Sequence, residues 1–102
     1  MSEQVKVLLS YSIRPGHENA YRRFIMEEFL PKAQELGLMP TDAWHTAYGG
    51  YPSRLLGFVA DDAETARMVM RGEEWQGLIS RLEGYAGSLS QRLVRFRGGF
   101  QW

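Results

Sequence analysis

A chain of 102 residues has room for one domain with one core. Twelve basic and twelve acidic side chains cancel, so no global field draws it to nucleic acid or anionic lipid. The absence of cysteine excludes disulfides, thiolate catalysis and sulfur-ligated metal.

Val5, Val7, Leu9, Tyr11 and Ile13 alternate with Lys6, Ser10, Ser12 and Arg14, which is the period of a strand; Leu8 interrupts the polar side. Pro15-Gly16 stops it. Tyr21, Phe24, Ile25, Phe29, Ala33 and Leu36 follow at helical spacing, and Pro31 predicts a kink or division near Glu28–Leu30. Gly37 suits the end of that helix. Trp44–Tyr48 reads as a strand, Gly49-Gly50-Tyr51-Pro52 as a hairpin turn, and Leu55–Ala60 as the returning strand. Asp61 and Asp62 are candidate caps for a helix through Ala63, Ala66, Val69 and Met70. Gly72 interrupts it, and a second helical piece carries Trp75, Leu78, Ile79, Leu82 and Tyr85 on one stripe. Leu89–Phe96 closes the pattern as a fourth strand. Nothing divides residues 1–102 into more than one domain.

The order is a doubled βαβ unit, hence one four-stranded sheet with helices on one face. A sheet face meeting water shows clean alternation. Here Leu55, Leu56, Phe58 and Val59 put apolar groups on both faces, and Leu8 adds to the second. Such a surface calls for a partner, most simply a second copy related by a two-fold axis. No stretch approaches a membrane span of about 20 apolar residues, and Met1–Lys6 lacks the order of a signal peptide, so a cytoplasmic homodimer is expected.

The β-α-β-β-α-β order, the strand ending Ile13-Arg14-Pro15-Gly16 and the split helix at Gly72-Glu73-Glu74-Trp75 resemble the dimeric α+β barrel superfamily. That group includes antibiotic-biosynthesis-type monooxygenases and NIPSNAP-like proteins. The resemblance covers nearly the whole chain. It implies a ferredoxin-like α+β subunit whose four-stranded antiparallel sheet packs on its twin's to form a barrel, with a small-molecule cleft between sheet and helices. The haem-degrading members use an asparagine on the first strand and a Trp/His pair in the second helical region. Here Val5–Ile13 has no Asn and Ala63–Tyr85 no His, which leaves Trp75 as the single counterpart and argues against haem chemistry.

The residues offer several sites. His45 could act as general base near neutral pH, between small neighbours Ala43 and Ala47, or serve as a structural histidine at an edge or seam. Tyr11 and Tyr48 could supply hydrogen bonds to a ligand. Phe24 and Trp75 could wall its pocket, although Trp75 also fits the core. Arg54 and Arg92 are candidates to bind an anion, or to form ion pairs between subunits. His17 begins a helix, where a cation is disfavoured. Two histidines without ligand spacing make no metal site, and no cofactor is expected. Phe100-Gln101-Trp102 is apolar enough to cover a partner subunit or the barrel rim.

The function these features suggest is homodimeric binding of a small apolar or aromatic molecule, as a cofactor-independent monooxygenase or isomerase. The alternative is a non-catalytic structural or regulatory dimerisation domain. RNA binding is a remote third reading, because Arg54–Val59 is faintly similar to the aromatic signature of RNA-recognition domains. Leu56 and Asp61 stand where that signature wants aromatics, and the net charge is zero.

Overall fold

The computed structural model describes residues 3–48 and 51–95, the side chains of 42, 44–48 and 51–52 excepted. Strand β1 (Val5–Ile13) has the bounds its alternation predicts, with every odd position buried and every even one half-buried. Its inward side chains Val7 and Leu9 are fully excluded from water. Burial of this kind contributes about 1.5–3 kcal/mol for each large side chain.

Pro15 and Gly16 form the turn after β1. Gly16 takes φ 82°, a left-handed position suited to glycine, and the His17 amide donates to the Arg14 carbonyl at 3.0 Å. Helix α1 (Glu18–Phe24) passes into a π turn (Ile25–Phe29) and then α2 (Leu30–Leu36). The division expected from Pro31 takes this form. Proline has no amide to donate to the preceding turn, and the helix widens just before it, with the Leu30 amide reaching Ile25. Phe24, Ile25, Phe29 and Ala33 all stay buried through the widened turn. At the end of α2, Gly37 is left-handed at φ 101°, and the Leu38 and Gly37 amides return to Ala33 and Gln34.

Strand β2 (Met39–Tyr48) starts five residues before the expected Trp44. Its first half pairs with the end of β3 (Tyr51–Ala60), Met39 with Val59 and Pro40 with Phe58. A register shift follows between Pro40 and Asp42. The polar run Thr41-Asp42 and the proline hide this half from a hydrophobic pattern. Thr41 Oγ1 donates to the Gly57 carbonyl at 3.3 Å. Tyr51 and Pro52, read as turn, are instead paired strand residues facing Tyr48 and Ala47, while residues 49–50 lie outside the described residues.

Asp62 caps α3 (Ala63–Arg71), accepting from the Thr65 amide at 2.7 Å. That bond holds its carboxyl below the usual carboxylate range. Gly72 breaks the helix as expected, and α4 (Glu73–Leu82) follows. Strand β4 (Ala86–Arg95) begins three residues before the expected Leu89, with Ala86 and Gly87 paired to Ile13 and Ser12, and its small first residues hide this start from a hydrophobic pattern. Its register against β1 shifts between Ser10 and Ser12, near Ser88, whose φ of 54° is left-handed. Phe96 and the terminal Phe100-Gln101-Trp102 lie outside the described residues.

The sheet order is β2-β3-β1-β4, all antiparallel, which is the ferredoxin-like α+β arrangement. The helices bury the odd face of β1 with Leu56, Phe58, Ala60 and Ala86. On the other face Leu8, Leu55, Val59 and Val94 remain half-buried, so both faces carry apolar side chains. Among the described residues no helix is long and apolar enough to cross a membrane, and no three metal-ligating side chains cluster.

Candidate functional site

Cross-strand pairing places Tyr11 opposite Arg54 in β1–β3, and Arg54 opposite His45 in β2–β3. One row of three strands therefore carries three of the residues singled out from the sequence. The turn at Pro15-Gly16 folds α1 back over the end of this row, bringing Tyr21 onto Tyr11. The two hydroxyls lie 2.5 Å apart, and the rings meet edge to face at 5.7 Å. The Arg54 guanidinium stands over the Tyr21 ring at 5.9 Å.

Tyr11 is 1% exposed and Tyr21 is buried as well. Burial pushes both phenols above their ordinary value of 10.0, the neighbouring Tyr21 pushes Tyr11 up further, and the positive Arg54 opposes the rise in each. Both tyrosines are neutral hydrogen-bonding groups at neutral pH. Arg54 Nη1 is buried and makes no hydrogen bond, and Arg54 forms no ion pair among the described residues. The cluster is thus rich in donors and holds a positive charge with no counter-ion among the described residues.

Tyr21 is a functional candidate that the sequence concealed. It sits at core spacing on an amphipathic helix, where its ring reads as packing. The available signal was a phenol in the first turn of a helix that follows a strand ending near another phenol.

Tyr48 pairs with Tyr51 at the far end of the hairpin, and the side chains of Tyr48 and His45 lie outside the described residues. Phe24 and Trp75 are 2% and 0% exposed and belong to a cluster of rings. Phe24 lies 5.9 Å from Phe29 and 5.4 Å from Tyr85; Trp75 lies 5.3 Å from Phe29 and 5.9 Å from Phe58. Trp75 Nε1 donates to Gln91 Oε1 at 3.0 Å. Phe58 itself is buried beneath the helices. Arg92 is exposed opposite Leu8, on the face away from the helices. The fold therefore separates Arg92 from Arg54. His17 is exposed at the start of α1, its ring 6.4 Å from that of Tyr85.

Among the described residues, grooves also open at the surface. One of about 410 Å³ lies at the opposite end of the sheet between Glu3, Asp62, Arg67 and Arg95. Another of about 350 Å³ runs between Leu36 and Met68–Trp75. Neither is lined by the tyrosine pair or Arg54.

No family model and no curated protein matches the sequence. Solved structures do resemble the fold. A NIPSNAP domain protein from Burkholderia xenovorans superposes with a TM-score of 0.68 at 14% identity, over 95% of this chain and 98% of that one. A candidate antibiotic biosynthesis monooxygenase from Nitrosomonas europaea gives 0.71 at 9% identity, over 99% and 97%. SnoaB, a cofactor-independent oxygenase from Streptomyces nogalater, gives 0.70 at 11% identity, over 97% and 98%. The chain has the ferredoxin-like subunit fold shared by NIPSNAP proteins and antibiotic-biosynthesis-type monooxygenases.

Proposed function

We propose that this protein is a homodimer that binds a small organic molecule at the Tyr11–Tyr21–Arg54 end of the space between sheet and helices. The observation that carries the reading is the polar cluster itself. An apolar core gains nothing from a buried phenol pair beside an unpaired guanidinium N–H, since an unsatisfied buried donor costs about 1–3 kcal/mol. A ligand supplies what the fold leaves open.

The chemistry that suits this arrangement is proton removal from a small aromatic or apolar substrate, as in cofactor-independent oxygenation or isomerisation. Such reactions need a base and donors fixed where negative charge develops. His45 is the candidate base, opposite Arg54 in the register, with Arg54 and the tyrosine hydroxyls as donors. That SnoaB shares the fold supports the reading without assigning a reaction. The uncovered face with Leu8, Leu55, Val59 and Val94 supports dimerisation through the sheets.

A second reading, a structural or regulatory dimerisation domain, draws on the close packing of Phe24, Phe29, Phe58 and Trp75 between sheet and helices. Native mass spectrometry of protein purified from its own host separates the two. A dimer at about twice 11.7 kDa carrying an additional small mass is the expected result. A bare dimer favours the second reading, and a monomer overturns both.

A further inference from the structure

We propose that the ligand held at this end is an organic carboxylate, bound through Arg54 with a tyrosine hydroxyl beside it. The inference rests on the small-molecule reading above and narrows it to one charge class.

Among the described residues Lys32 pairs with Glu35 and Glu74, Arg81 with Glu28, and Arg95 with Glu3. Those pairs lie on exposed helix and edge positions. Arg54 lies inward, on the row of Tyr11, and has no carboxylate facing it among the described residues. Its described contacts are with Tyr21, through the face of the ring and the hydroxyl, and neither supplies a negative charge. Nη1 is left buried and unbonded.

The tyrosines add to the same side of the account. Two hydroxyls carry two protons, and the bond between them uses one. The other is free to donate. Burial keeps both phenols protonated, so neither supplies the missing negative charge. A group that meets guanidinium N–H and phenol O–H together must be acceptor-only and negative. An ionised carboxylate has that character, with two oxygens spaced for the guanidinium fork. A neutral amide accepts the hydrogen bonds but leaves the buried cation uncompensated.

The test uses the whole protein and two probes of the same shape, 2-naphthoate and 2-naphthamide, titrated by calorimetry at neutral pH. Wild type is expected to bind the naphthoate at least about tenfold more tightly than the amide. Arg54→Gln is expected to erase that preference and leave amide binding in place, with folding checked by circular dichroism. Arg92→Gln, on the opposite face of the sheet, is expected to change neither. Should Arg54→Gln fail to fold, the salt dependence of wild type decides. Naphthoate affinity falls as salt rises and amide affinity does not. Equal binding of both probes overturns the charge inference while leaving the pocket in place. Binding of neither overturns the pocket reading and this inference with it.

Discussion

The hydroxyl of Tyr11 lies 2.5 Å from that of Tyr21, tying the end of the central strand β1 to the first turn of the helix that folds back over it. Because both groups are buried, deleting one removes the other's partner in this bond. Tyr11→Phe or Tyr21→Phe alone is expected to cost about 1–3 kcal/mol. The double variant should cost clearly less than the two singles added together, since it leaves no orphan. A double-mutant cycle by urea unfolding reads the difference. Strict additivity would show that the hydroxyls do not interact in solution.

The same pair sets an alkaline limit. The folded state holds both phenols above their ordinary value of 10.0, mainly through burial. The unfolded chain therefore gives up these protons first as pH rises. The pair's contribution to stability is complete below pH 10 and is lost as pH climbs through the folded values. The thermal midpoint of wild type should fall above about pH 10 more steeply than that of Tyr11→Phe/Tyr21→Phe. Parallel curves for the two proteins would contradict it.

Trp75 anchors the other end of the interior, with its ring against Phe29 and Phe58 and its Nε1 on Gln91. Trp75→Ala is expected to cost about 3–5 kcal/mol, a large share of the stability of a domain this size. Trp75→Phe keeps most of the ring contact and loses the Gln91 bond, so it should cost far less. Chemical unfolding separates the two. A loss below about 1 kcal/mol for the alanine variant would mean that the ring is not part of the core.

How much of this was legible in the sequence depended on whether the signal was local. The alternation of Val5 to Ile13 defined β1 to the residue, because one buried face imposes a period of two. Pro31 and Gly72 marked the breaks in the helices for equally local reasons, a missing amide and a flexible backbone. Pro40-Thr41-Asp42 concealed half of β2, since its pairing is held by β3 rather than by its own pattern. The site was less visible still. That Arg54 shares a row with Tyr11 and His45 while Arg92 faces away follows from strand register. Register is a property of pairs of strands. Tyr21 was masked by its own helix, where a phenol at core spacing looks like any other apolar ring.

The uncovered face of the sheet yields the last expectation. Leu55 stands on β3 between Ser10 of β1 and Trp44 of β2, with no charged residue directly across from it. It is half-buried in one subunit. Leu55→Glu therefore costs a monomer little, because the carboxylate can reach water. Across a two-fold sheet-to-sheet interface the same change buries a pair of like charges in apolar surroundings, which is strongly unfavourable. Light scattering on a sizing column is expected to report about twice 11.7 kDa for wild type and 11.7 kDa for the variant. Met68→Glu, at an exposed position of α3, is the control and should leave the mass unchanged. A Leu55→Glu protein that stays dimeric would place the interface elsewhere on the molecule, and a monomeric wild type would leave the apolar face without a twin.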